Sequence, residues 1–130
     1  AYELSLYGKL GEVLNKIKYP YNLSLLTQRH ALYMLNDVDK VKEWVKTLLE
    51  ERSKLVSQLQ KVSNVVKVYP TDANFVLAKV TNADQVYREL IRKGVVVRNR
   101  SNISLCKDCL RITVGTSEEN RQLINELKKF

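Results

Sequence analysis

At 130 residues, 45% hydrophobic and 28% charged, the chain is long enough for one modest core and too apolar for a disordered tail. No run approaches the roughly 20 apolar residues of a membrane span; the first residues lack the basic-then-apolar order of a secretory leader, which says little for a chain that begins at Ala1. A net charge of +8 raises nucleic acid as a partner, but residues 1–70 and 71–130 each hold 11 basic and 7 acidic side chains, so the excess forms no tail or block.

Residues 4–18 carry apolar side chains at helical spacing, weakened by Gly8 and Gly11, and predict a weak or broken helix. The Lys18-Tyr19-Pro20-Tyr21-Asn22 stretch interrupts it, because proline disfavours helix at the residue before it, and Asn22 is placed to cap a new helix through Asn36. From Asp37 to Val62 apolar residues fall at 38, 41, 45, 48, 55, 59 and 62, a three-four alternation broken only by Arg52. This predicts one long helix, laid across the domain rather than seamed to a second copy, since so short a heptad run leads straight into a sheet-forming segment. Trp44, beside the stripe, suits burial against a neighbour.

The period then changes from 3.6 to 2. Val65–Tyr69 and Asn74–Val80 read as an antiparallel pair around the turn Pro70–Ala73. Asn82 with Gln85 starts a helix that runs to about Lys93, where Gly94 ends it. A Val95–Arg98 strand, a polar loop Asn99–Asp108 long enough to be mobile or to cover a ligand, and a strand from Cys109 follow. Thr116 and Glu119 form a capping box for a last helix to about Lys128. The fold class is α+β: a long helix followed by a small, mainly antiparallel four-stranded sheet with helices on one face. All of 1–130 reads as a single domain, with junction helices over 1–36, the long helix over 37–62 and a sheet-and-helix unit over 63–130.

Two residues stand out chemically. Alternation places Leu110, Ile112 and Val114 on one face of the last strand and Cys109, Arg111 and Thr113 on the other, while Arg98 closes a β-branched run. On neighbouring strands, Arg98 and Arg111 can aim two rigid, permanently charged forks at one anion; their ordinary alternative is to solvate strand ends. Cys106 and Cys109 offer half a zinc or redox motif, but with His30 as the only histidine the ligands are too few, and they read as reduced thiols. No metal site is expected. His30 reads as a partly buried helix residue. No glycine-rich phosphate loop, serine-histidine-aspartate order or catalytic carboxylate pair is present.

Four segments in this order and spacing, Pro20-Tyr21-Asn22-Leu23-Ser24, Asp72-Ala73-Asn74-Phe75, Gly94-Val95-Val96-Val97-Arg98 and Cys109-Leu110-Arg111-Ile112-Thr113-Val114-Gly115-Thr116, resemble the carboxy-terminal part of the histidinol-phosphate aminotransferases. The resemblance covers nearly the whole chain. It implies the small domain of a fold type I enzyme, with the long helix linking it to a large cofactor domain that is absent from the chain together with the lysine that carries pyridoxal phosphate. It also implies a cytoplasmic homodimer of histidine biosynthesis, moving an amino group between glutamate/2-oxoglutarate and a phosphorylated imidazole substrate, whose aminated form is a phosphorylated imidazole amino alcohol. Arg98 and Arg111 match substrate-binding positions that clamp the anionic end, and Asn74 matches a supporting position near the cleft. The isolated chain is then expected to hold no cofactor and to be inactive.

Two alternatives stay open. Another pyridoxal-phosphate enzyme of the same fold, such as an aromatic aminotransferase or a phosphothreonine-type decarboxylase, would share the domain. A non-enzymatic anion- or RNA-binding module would use Arg88, Arg92, Lys93, Arg98 and Arg100, but Tyr87 is the only aromatic in that cluster and single-strand binders need stacking platforms. No specific nucleic acid and no membrane partner is expected.

Overall fold

The computed structural model describes Val13, Lys16, Ile17 and residues 23–130. The helix read over 4–18 and the Lys18–Asn22 junction lie almost wholly outside these residues, although Val13, Lys16 and Ile17 are helical. The chain forms two units, Ala1–Val38 and Asp39–Phe130. Of the first, α1 (Leu25–Met34) is described, ending in a single 3-10 turn, Leu35–Asp37. Its cap is Ser24, whose hydroxyl accepts from the Thr27 N–H at 3.1 Å, so the cap lies two residues beyond the asparagine expected to fill that position. His30 is exposed rather than partly buried, its ring 6.3 Å from that of Tyr33.

The second unit contains α2 (Val38–Leu59, its first residue apart), β1 (Val65–Val68), β2 (Phe75–Val80), α3 (Ala83–Arg92), β3 (Arg98–Asn99), β4 (Cys109–Thr113) and α4 (Ser117–Leu127). The sheet order is β1-β2-β4-β3 and every neighbouring pair is antiparallel. One face carries Val76, Ala78 and Val80 from β2 with Leu110 and Ile112 from β4, all buried. Leu55 and Leu59 of α2, Val86 and Leu90 of α3, and Leu123, Ile124 and Leu127 of α4 complete the same core. Each fully buried leucine contributes about 1.5–3 kcal/mol, against about 0–1 for an exposed ion pair, so the core and not the surface charge holds the fold.

Strand β1 joins this face only through an irregularity. Val65 pairs with Val80 and Val68 with Ala78, three residues apart on one strand and two on the other. In a regular strand that spacing would send the two valines to opposite faces; the extra residue, Val66, bulges out 63% exposed and returns both to the core.

The capping signals of α3 and α4 behave as the sequence predicts. Asn82 caps α3 in the left-handed region at φ 56°, accepting from the Gln85 N–H at 3.3 Å, and Gly94 leaves the helix at φ 76°. Two other readings are corrected. Val95–Val97 is not strand: the Val95 N–H is taken by the Leu90 carbonyl at 2.9 Å as the chain turns off α3, and ladder pairing begins only at Arg98. The apolar stripe of the long helix is covered only in its last half. Leu55, Leu59 and the following Val62 are buried, whereas Val38, Val41 and Val45 are exposed and Trp44 is 51% exposed beneath the Lys40 ammonium. No helix among the described residues is long and apolar enough to cross a membrane.

The turn from β4 into α4 is closely packed. A capping box is complete there: the Thr116 hydroxyl accepts from the Glu119 N–H at 3.3 Å and the Glu119 carboxylate from the Thr116 N–H at 2.7 Å. Glu119 thereby lies against Gly115, where an added Cβ would stand 2.7 Å from Oε2 and 3.0 Å from the Cβ of Glu119. Gly115→Ala should therefore destabilise by about 1–3 kcal/mol. In a Glu119→Ala background the penalty should shrink without vanishing, because the closer oxygen is gone and the Cβ remains. Thermal melts of the two single variants and the double variant test this, and an unchanged midpoint in Gly115→Ala would refute the close-approach account.

Candidate anion site

Helices cover one face of the sheet; on the other, alternation places Phe75, Leu77 and Lys79 of β2 beside Cys109, Arg111 and Thr113 of β4. Arg98 of β3 pairs directly with Arg111. Residues directly opposite in an antiparallel pair project to the same side, so both guanidiniums leave the open face together. Like charges so placed repel; the strands contain no acidic residue, and neither arginine is in an ion pair among the described residues. Those five pairs all join residues three apart along the chain.

The two arginines differ in their surroundings. Arg98 is exposed. Arg111 is half-buried, its Cζ lies 5.0 Å from the centre of the Phe75 ring, and its Nε is buried without a hydrogen-bond partner among the described residues. Asn74 stands exposed at the start of β2, its carbonyl accepting from the Val114 N–H at 2.9 Å, which places it beside the end of the Arg111 strand. The structure thus brings Arg98 and Arg111 together at the middle of β4 and sets Asn74 at the Thr113 end of the β2–β4 pair.

Residues to which the sequence reading gave no role hold this end in place. The Arg52 guanidinium donates to the Ala73 carbonyl at 2.8 Å, which accounts for the one break in the apolar stripe of α2. Its neighbour Glu51 is buried and accepts from the Asn120 side-chain amide at 3.2 Å. Asn120, also buried, accepts from the Gly115 N–H at 3.1 Å and donates to the Gly115 carbonyl at 3.0 Å. The sequence signal for Asn120 was available: it precedes Leu123, Ile124 and Leu127 on the inner stripe of α4, a polar residue at a core position.

The Asn99–Asp108 loop is built from linked turns. Arg100 donates its N–H to the Cys109 carbonyl at 2.8 Å, and the N–H groups of Ile103, Cys106 and Cys109 each bond the carbonyl three residues back. Burial, and then the nearby Cys106, push the Cys109 thiol up, away from the thiolate that metal or redox chemistry would need. The basic cluster of the RNA-binding alternative is split. Arg88, Arg92 and Lys93 belong to or adjoin α3 on the covered side of the sheet, Arg92 is paired with Glu89 at 2.6 Å, and Tyr87 is packed against the core.

Residues 9–127 match the family described as aminotransferase class I and II. The chain is 51% identical over 118 residues to the histidinol-phosphate aminotransferase of Bacteroides thetaiotaomicron, covering 91% of this chain and 34% of that protein. It is 53% identical over 116 residues to that of Flavobacterium johnsoniae, covering 89% and 33%. The chain therefore spans about a third of the length of these relatives. Among solved structures, the histidinol-phosphate aminotransferase of Clostridium acetobutylicum superposes with a TM-score of 0.76 at 22% identity, covering 93% of this chain and 37% of that one, a likeness of fold.

The buried Glu51 makes the site's support sensitive to acid. Its bond with the Lys54 ammonium at 2.9 Å, then those with Ser117 and Asn120, hold its carboxyl below the ordinary value of 4.5 against the opposing effect of burial. A depressed folded value means that the stability this group contributes is full above the ordinary value and is lost as the pH falls through the folded one. Glu119, lowered by its bonds to Thr116, titrates in the same sense. Glu51→Gln should therefore flatten part of the fall in stability between about pH 5 and 3, leaving the Glu119 share. Urea melts across that range check it; a variant whose acid limb matches the parent's would show that Glu51 is not linked to folding.

Proposed function

The chain belongs to the class I and II aminotransferases, and on that premise we propose that it is the carboxy-terminal part of a histidinol-phosphate aminotransferase. The activity is transfer of an amino group between glutamate and a phosphorylated imidazole ketone, in a homodimeric enzyme of the cytoplasm. Arg98 and Arg111 take the anionic end of whichever substrate is bound, and Asn74 supports the cleft beside them. The observation that carries this reading is the direct Arg98–Arg111 pairing on an open face with no carboxylate among the strand residues. A carboxylate and a phosphate both accept forked hydrogen bonds from a guanidinium, so one pair of arginines can serve both substrates in turn.

Pyridoxal phosphate, which the family implies, supplies the electron sink for proton movement at the amine-bearing carbon. The residues described here do not form its cradle: no lysine among them is buried and no glycine-rich turn faces the arginines. Their part is to bind and orient the substrate anion. A decarboxylase of Sulfurospirillum multivorans shares the fold at 26% identity and a TM-score of 0.74. The identity of about one half to histidinol-phosphate aminotransferases favours the transamination reading.

Two outcomes are expected. The 130-residue chain alone should bind pyridoxal phosphate weakly or not at all and show no transaminase activity; borohydride reduction that labels one lysine stoichiometrically would overturn this. In a chain extended by the segment that precedes residue 1 in the relatives, Arg98→Ala or Arg111→Ala should lower kcat/KM by about ten- to a hundredfold or more, each removing a charge-assisted contact of about 1.5–3 kcal/mol. Lysine should restore only part, since a point charge lacks the fork. Steady-state kinetics with parallel melts test this, and a folded Arg111→Ala enzyme with parental kcat/KM would sink the clamp.

A further inference from the structure

We propose that Phe75 is a positioning residue for Arg111, fixing the plane in which its guanidinium presents the two terminal nitrogens to an anion. The proposal rests on the reading of Arg111 as an anion-binding residue. Phe75 pairs with Thr113 and Leu77 with Arg111, so Phe75 and Arg111 are diagonal neighbours on the open face, within reach for a ring and a long side chain. The Arg111 Cζ sits 5.0 Å from the ring centre, inside the range where a guanidinium is attracted to an aromatic face. Its Nε is buried and has no partner among the described residues, so the donors left for a ligand are the terminal nitrogens.

The platform itself is anchored. Three successive carbonyls leading into β2 are each engaged: Ala73 by the Arg52 guanidinium at 2.8 Å, Asn74 by the Val114 N–H at 2.9 Å, and Phe75 by the Thr71 hydroxyl at 2.8 Å. Thr71 also accepts from the Ala73 N–H at 3.1 Å, closing the turn on itself. The ring therefore sits on backbone with little freedom to move. The Arg111 cation lies over it, while Arg98 opposite is exposed. Anion binding to a guanidinium already held in plane loses less side-chain entropy than binding to a free one.

The test uses the 130-residue chain with arginine side chains labelled with nitrogen-15, titrated with inorganic phosphate and followed by NMR at the Arg111 Nε–H resonance. Phe75→Leu should weaken phosphate binding about three- to tenfold and shift that resonance by removing the ring current. Phe75→Tyr, which keeps the ring, should bind within about twofold of the parent and keep the shift. Phe75→Met provides a second ringless variant should leucine fail to fold, with thermal melts recorded for all. A folded ringless variant that binds phosphate like the parent, or a tyrosine variant as weak as leucine, overturns the positioning role. Arg111→Ala separates the two readings. If it loses phosphate binding while Phe75→Leu does not, only the role of Phe75 falls; if it binds as the parent does, or if the parent shows no response to phosphate, the anion reading falls and the positioning role with it.

Discussion

Two adjacent side chains of α2, Glu51 and Arg52, reach the same end of the central strand pair by different routes. Arg52 bonds the Ala73 carbonyl just before β2, and Glu51 bonds Asn120, which clamps both backbone groups of Gly115 just after β4. Because Phe75 lies opposite Thr113, these are two sides of one strand end rather than two ends of the sheet. A buried carboxylate and a half-buried guanidinium are costly unless every group finds a partner. Here the expense fixes the strands that carry Phe75 and Arg111, and an apolar pair at positions 51 and 52 would pack without specifying where those strands end. The stripe of α2 supplies adhesion through Leu55 and Leu59; its two polar members supply position.

Charge is distributed by the same division of labour. All five ion pairs among the described residues are local, between residues three apart, and the three whose partners are both exposed contribute little to stability. They nevertheless leave the open sheet face, with Lys67, Lys79, Arg98 and Arg111, without acidic neighbours on its strands. Four cations drawn from separate parts of the sequence thus come together, once folded, on one face. Evenness along the chain is no guide to evenness in space, because the sheet brings residues 67, 79, 98 and 111 onto adjoining strands.

How much of this was legible in the sequence depends on whether the signal was local. Caps were: Asn82 with Gln85, Gly94, and Thr116 with Glu119 are set by a few neighbouring residues, and each stands where the pattern places it. The split of Leu110 and Ile112 from Arg111 followed from alternation alone. Non-local facts were hidden. Val95–Val97 has strand composition, but its backbone leaves α3 through a turn and has no partner strand, and propensity cannot see a partner. The seam of α2 is continuous as a pattern, yet a pattern shows which residues share a face and not what lies against it, so Trp44 and Val45 look the same on paper as Leu55 and Leu59. Arg52 read as an interruption because its acceptor, the Ala73 carbonyl, is 21 residues away and carries no side-chain signature.

The opposition of Arg98 and Arg111 was likewise invisible, since register is a property of the pair. Within the sheet it is also the least supported register. The ladder between β2 and β4 has five residue partners and that between β3 and β4 only two. The place of Arg98 therefore depends on what flanks it: the Arg100 N–H on the Cys109 carbonyl, the chain of turns through Ile103 and Cys106, and the Asn99 amide on the Asp84 carboxylate. Repulsion between two guanidiniums acts directly against this short ladder. An anion shared by both would reverse the sign of that term and tie the weakest strand to the strongest, so ligand binding and the pairing of β3 draw on the same interaction. The arginine on the anchored strand is the one backed by an aromatic ring, and the arginine on the short strand is the one left free to adjust.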